Sequence, residues 1–73
     1  MAGGEGAVRA RAAEAGDRTL RFQALRRLAT ALVNAGDLES AIDVYRAAER
    51  QAPDARTRTQ IATRIAWLTQ ETG

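Results

Sequence analysis

The sequence contains neither cysteine nor histidine, and each absence excludes a class of chemistry. Without cysteine the chain has no disulfide bond and no thiol nucleophile, and without both residue types it lacks the usual ligands of structural zinc. Histidine is also the most frequent general base in enzymes. We therefore expect a protein that is not an enzyme and holds no metal and no cofactor. A cysteine-free chain also suits a reducing compartment, so we expect a cytoplasmic location.

Lysine is absent too, and all eleven basic residues are arginine. Nine acidic residues leave a formal net charge of only +2, so the high isoelectric point reflects the resistance of arginine to deprotonation rather than a strongly basic surface. The three aromatic residues, Phe22, Tyr45 and Trp67, are scattered, and no run of like charge reaches the length of a nucleic-acid-binding tail. We therefore expect no nucleic-acid partner. The arginine and alanine content is typical of a GC-rich bacterial genome.

Long apolar runs are also missing, so the sequence predicts neither a signal peptide nor direct insertion into a membrane. The 73 residues are enough for one domain at most. In a chain of this size a single core rarely supplies more than about 3–5 kcal/mol of stability.

What the sequence does contain is a turn, Asn34-Ala35-Gly36-Asp37, between two segments with apolar residues at every third or fourth position. This spacing predicts two amphipathic helices, which a tight turn makes antiparallel. Gly36 suits the positive φ of a helix C-terminus, and Asp37 suits the N-cap of the next helix. The apolar positions are Leu25, Leu28, Ala29 and Leu32 before the turn, and Leu38, Ala41, Ile42, Tyr45 and Ala48 after it.

This stretch resembles a tetratricopeptide repeat (TPR), a helix–turn–helix unit of about 34 residues with the pattern W-x2-L-G-x2-Y, A-x3-F and P. Small residues at two of its positions let the helices approach closely, and large residues fill the space around them. The matching positions are Leu25, Leu28, Ala29, Leu32, Ala41, Tyr45 and Pro53, with leucine for the aromatic residue and alanine for the glycine. The resemblance covers about half of the chain. It implies an all-α fold with a TPR-like antiparallel helical hairpin.

The residues ahead of the hairpin, 1–17, are predicted to be a flexible or partly helical lead. The first six are small and polar, which predicts disorder. The pair Gly16-Asp17 predicts a break, so that the first long helix begins at Arg18 or Leu20.

The hairpin, residues 18–55, is followed by a third helix within residues 54–73. Pro53 ends the second helix near Gln51, and Asp54 suits the N-cap of a helix that runs from Ala55 to about Glu71. Its apolar positions are Ile61, Ile65 and Leu68, with Trp67 beside them either at the core edge or on an exposed contact surface.

Two interpretations of the third helix stay open, and both make the fold a short α-solenoid fragment. It is either a cap or the first helix of a second repeat. The second interpretation needs three residues more than the standard repeat length, and it then pairs Leu25 with Ala62, Leu28 with Ile65, Ala29 with Ala66, and Gly36 with Gly73.

Two other folds compete with the repeat. One is a generic helical hairpin, which any amphipathic pair would form. The other is a DNA-binding helix-turn-helix whose recognition helix would be residues 38–51. Glu39 in the first turn of that helix would repel phosphate, so we favour the repeat. Glu39 and Asp43 lie one turn apart, and we expect them to be solvated charges rather than a catalytic pair.

The resemblance also implies a binding face, because the first helices of such repeats line a groove for an extended or helical peptide. Arg26 would pair with a carboxylate, and Asn34 would hydrogen-bond a peptide backbone. Thr30 stands where repeats that clamp a terminal carboxylate carry asparagine, so we expect no such clamp. The implied groove residues are Gln23, Arg26, Arg27, Thr30, Val33 and Asn34.

We therefore expect a non-enzymatic protein–protein interaction module with a protein or peptide partner. One alternative is a self-associating structural module that forms a homo-oligomer, because about three repeats are usually needed to bury a continuous core. Another is a soluble appendage of a larger protein, including a membrane protein.

Overall fold

The computed structural model describes the backbone of residues 2–73 and the side chains from Gly16 onward, so that Met1, where disorder is predicted, lies outside the described residues. In this part of the chain there are three α-helices and no strand. They are α1 (Ala2–Asn34), α2 (Leu38–Arg50) and α3 (Ala55–Thr72). The all-α fold predicted from the sequence is confirmed.

The central helix is α2, which packs against both α1 and α3. Alanines occupy the most enclosed positions of the α1 and α2 pair, and Ala29 and Ala41 have no exposed surface at all. Small residues here let the two helices approach closely, as the repeat pattern requires. The buried core consists of Phe22, Ala29, Ala41, Ile42, Tyr45, Ala48, Ala52, Ile61 and Leu68.

The turn between α1 and α2 is a Schellman motif followed by an aspartate N-cap. Gly36 has a φ of 83°. The backbone N–H of Gly36 donates to Val33 O at 3.0 Å, and that of Asp37 donates to Leu32 O at 2.9 Å. The Asp37 carboxylate then accepts the N–H of Ser40 at 3.3 Å. Both the glycine and the aspartate predictions for this turn are confirmed.

The α2–α3 connection is equally short. Ala52 is buried and Pro53 follows it at the surface. Asp54 caps α3, because its Oδ1 accepts the N–H of Thr57 at 2.7 Å. This hydrogen bond favours the charged carboxylate and holds the pKa of Asp54 below its usual value of 3.8. The predicted N-cap of the third helix is therefore confirmed.

The beginning of α1 differs from the sequence prediction. The helix begins at Ala2, not at Arg18 or Leu20, and Gly16-Asp17 lies inside it without a break. Residues 2–6, for which disorder is predicted, are therefore helical as well. Most of residues 2–15 are alanine and arginine, which are strong helix formers, although each of the four glycines in α1 costs about 1 kcal/mol relative to alanine. A helix of 33 residues is ~50 Å long. It accounts for most of the 57 Å length of the molecule.

Leu28 also differs from the prediction that it joins the packed stripe, because it is 50% exposed. It lies ~100° around the helix axis from the buried Ala29. Since α2 covers the Ala29 side, Leu28 is left at the edge of the stripe. Trp67, for which the sequence allowed two positions, is 52% exposed.

Candidate partner-binding groove

A groove of about 300 Å³ lies between α1 and α3. It is lined by Arg26 and Thr30 of α1, Tyr45 of α2, and Gln60, Ile61 and Arg64 of α3. We call this feature the α1/α3 groove. Its exposed side chains come from two helices that are far apart in the sequence, and α2 brings them together by packing against both helices.

The walls and the base of the α1/α3 groove differ in chemistry. Arg26 and Arg64 are exposed and carry a guanidinium group on each wall. Tyr45 and Ile61 are buried, with 5% and 6% of their surface exposed, and they form an apolar base. A guanidinium group binds a carboxylate through two parallel hydrogen bonds. The surface that lines the groove is mostly polar, so the groove is suited to a ligand that presents carboxylates.

The hydroxyl of Thr30 is already used inside α1, where it donates to Arg26 O at 2.9 Å. The same bond to the fourth preceding carbonyl recurs in α3, from Thr59 to Ala55 O and from Thr63 to Thr59 O. Such a threonine does not donate its hydroxyl proton to a ligand, and it presents its methyl group instead.

Two further recesses adjoin the α1/α3 groove and share residues with it. A recess of about 310 Å³ is lined by Thr19, Phe22, Gln23, Arg26, Arg27 and Pro53. Another, of about 460 Å³, is lined by Thr59, Gln60, Thr63, Arg64 and Trp67. Because Arg26 belongs to the first of these and Arg64 to the second, each arginine borders two recesses.

The six groove residues implied by the sequence fall into different environments. Gln23, Arg26, Arg27 and Thr30 line the recesses just described. Val33 is half-buried and packs against the hydrophobic core. Asn34 is exposed at the last residue of α1.

The sequence analysis missed the α3 side of the groove, Gln60 and Arg64. A signal for these residues exists in the second-repeat alignment of α1 with α3. In that alignment Gln23 corresponds to Gln60 and Arg27 corresponds to Arg64, both pairs being 37 residues apart. This alignment would have placed both Gln60 and Arg64 among the predicted groove residues.

In the described residues, no group of acidic side chains is arranged to hold a metal ion. No helix in the same part of the chain has both the length and the apolar character needed to cross a membrane.

Comparison with known proteins identifies a family. The family model for the tetratricopeptide repeat matches residues 22–64, which is more than half of the chain. No curated protein and no solved structure matches the sequence. The matched segment contains the turn, the enclosed alanines and both walls of the α1/α3 groove. The chain therefore belongs to the tetratricopeptide repeat family.

Proposed function

We propose that the chain is a protein-interaction module that binds an acidic, extended segment of a partner protein in the α1/α3 groove, and that it acts without catalysis. Repeats of this family typically mediate protein interactions and are generally non-enzymatic. The observation that carries the proposal is the presence of Arg26 and Arg64 on facing walls above a buried tyrosine and isoleucine.

The proposal gives the remaining residues of the predicted face distinct tasks. Gln23 and Arg27 extend the polar wall along α1, and Thr30 packs its methyl group against the bound segment. Asn34 hydrogen-bonds a peptide backbone amide at the end of the helix. Val33 supports the wall from its half-buried position rather than by contact with the partner.

Charge reversal tests the proposal. A fluorescein-labelled peptide of alternating glutamate and leucine serves as the probe, and anisotropy measures its binding. An exposed arginine–carboxylate pair contributes about 0.2–1 kcal/mol, so Arg26→Glu and Arg64→Glu should each weaken binding several-fold, because they also add repulsion. The double variant should weaken it about tenfold or more.

Arg58→Glu is the matched control, because Arg58 is exposed on the same helix as Arg64 but does not line the α1/α3 groove. This variant changes the net charge by the same amount and should leave binding nearly unchanged. If Arg58→Glu weakens binding as much as Arg64→Glu, the peptide is held by general attraction to a basic chain, and the groove is not the site.

Self-association remains the alternative prediction from the sequence. Light scattering over a wide concentration range tests it, since a homo-oligomer would show a mass of at least two chains. Cytoplasmic location, bacterial origin and the lack of a nucleic-acid partner also remain predictions from composition.

A further inference from the structure

The side of α1 that faces away from α2 carries an apolar strip. Leu20 is 65% exposed and Leu28 is 50% exposed. With 3.6 residues per turn, the strip runs along one side of the helix for ~22 Å. All of its members are exposed, and they are Leu20, Ala24, Leu28, Ala31 and Ala35. We call it the outer strip. An apolar strip on a helix face that no other helix covers is a candidate interaction site.

Helix α3 shows how an equivalent strip is covered. With their capping residues, the two helices align over residues 17–36 and 54–73 at an offset of 37 residues, and six residue pairs are identical. They are Asp17 and Asp54, Arg21 and Arg58, Gln23 and Gln60, Arg27 and Arg64, Ala29 and Ala66, and Gly36 and Gly73. In this alignment Leu20, Ala24, Leu28 and Ala31 correspond to Thr57, Ile61, Ile65 and Leu68.

Those four α3 residues are the ones that pack inward. Ile61 and Leu68 are buried, Thr57 and Ile65 are half-buried, and the helix that α3 packs against is α2. The outer strip therefore repeats, on α1, the face that receives a helix in α3. In the described part of the chain no helix covers it.

The opposite side of α3 does not repeat the apolar character of α1. Five apolar residues of α1 that are buried or half-buried correspond to exposed residues of α3. The pairs are Phe22 and Thr59, Leu25 and Ala62, Ala29 and Ala66, Leu32 and Thr69, and Val33 and Gln70. The far side of α3 is thus small and polar. Apart from Trp67, the large apolar side chains left exposed in the described part of the chain are Leu20 and Leu28 of α1.

Charge indicates what kind of helix the outer strip receives. Arg21 and Arg27 lie on its two edges and are exposed. From Gly16 to Asn34, α1 carries four arginines and one aspartate, whereas α2 carries three acidic residues and two arginines. The helix α2, which packs against α1 and α3, is therefore more acidic than α1. An incoming helix of the same kind would be electrostatically complementary to α1.

A second copy of the chain is a poor source of a helix that could dock on the outer strip. Its α2 is already packed on two sides, by its own α1 and α3. Pairing α1 with α1 would instead bring the arginines on the edges of the two strips together, and like charges at an interface are unfavourable.

We propose that the outer strip is a docking surface for an amphipathic helix of another polypeptide, with small and aliphatic residues on one face and carboxylates along its margins. This surface is separate from the α1/α3 groove. Leu28 and Leu20 contact the apolar face of the incoming helix, and Arg21 and Arg27 pair with its carboxylates.

A labelled peptide with the sequence of residues 37–51 is the probe, because α2 is the helix that covers the equivalent face of α3. Binding to the full chain is followed by fluorescence anisotropy. The variant Leu20→Ser/Leu28→Ser should lower affinity about tenfold or more, because truncating the central apolar contacts of an interface has the largest effect. Both residues are largely exposed, so circular dichroism should show an unchanged fold.

Two controls separate this surface from the rest of the molecule. Trp67→Ser removes an equally exposed apolar residue from α3 and should not change affinity. Arg26→Glu, which disables the α1/α3 groove, should also leave peptide binding intact. A control peptide with glutamine and asparagine in place of its acidic side chains should bind several-fold more weakly.

Three results would overturn the proposal. One is the absence of binding at about 1 mM peptide, which would mean a binding free energy weaker than ~4 kcal/mol. Another is equal loss of affinity in the Trp67→Ser and double-serine variants. The third is a concentration-dependent dimer that the double-serine variant abolishes, because the strip would then be an interface between copies of the chain.

Discussion

Gly36 offers the most direct test of the turn that joins α1 to α2. Its φ is +83°, and a Cβ added there would meet no atom within 4 Å. Gly36→Ala therefore introduces backbone strain without a steric clash. The left-handed conformation costs an L-residue roughly 1–2 kcal/mol. Alanine also restricts the unfolded chain, which offsets ~0.4–1 kcal/mol of that cost. We expect a net loss of about 1 kcal/mol.

Gly16→Ala is the matched control, because it makes the same chemical change within α1, away from the turn. The new Cβ again meets no atom within 4 Å, but the glycine lies in α1 and its φ is not positive. Alanine is better than glycine in a helix by about 1 kcal/mol. This substitution should therefore increase the helix content and should not lower the melting temperature.

Circular dichroism at 222 nm during thermal and urea unfolding measures both variants. In a domain of this size 1 kcal/mol changes the melting temperature by about 4–8 °C. Gly36→Ala should therefore melt several degrees below the wild type, and Gly36→Asn should fall between them, since asparagine tolerates this conformation better. If Gly36→Ala is neutral or stabilising, the proposed Schellman turn is wrong.

Two other predictions concern α3. Leu68 has no exposed surface, so Leu68→Ala should lower the free energy of unfolding, measured in urea, by roughly 2–5 kcal/mol. Its half-exposed neighbour Trp67 should tolerate alanine. Equal effects of the two substitutions would contradict the packing of α3 on α2. Asp54 has a lowered pKa because its carboxylate accepts the Thr57 N–H. A lowered folded-state pKa gives stability that is present above the unfolded value and is lost as pH falls through the folded value. Acid should therefore lower the melting temperature of the wild type more than that of Asp54→Asn, which keeps an acceptor oxygen but does not titrate. Equal acid sensitivity would show that this cap does not contribute.

The parts of the fold that the sequence predicted well are governed by local chemistry. Gly36, Asp37 and Asp54 each act on backbone groups within a few residues, so their residue types are enough to locate the helix ends. The enclosed alanines, Ala29 and Ala41, were also recognisable, because the repeat pattern requires small residues where two helices meet. These features specify the hairpin without knowledge of the third helix.

The parts that the sequence predicted poorly depend on weak or distant effects. Gly16-Asp17 looks like a break, but the helix-forming residues on its N-terminal side outweigh one glycine. Leu28 satisfies the apolar spacing, yet its burial depends on which side of α1 the partner helix covers. Arg64 lines the groove only because α3 packs against α2 in a position that also borders α1, and spacing within a single helix carries no information about that arrangement.

The measurement that most directly tests the central claim is an NMR titration of the isotope-labelled chain with the acidic peptide. We expect the peptide to change the amide and side-chain chemical shifts mainly at Arg26, Thr30, Gln60 and Arg64, on both walls of the α1/α3 groove. The Arg26→Glu/Arg64→Glu variant should need about tenfold more peptide, or still more, for the same changes. Shifts that cluster elsewhere, or that spread evenly over all exposed arginines, would contradict it.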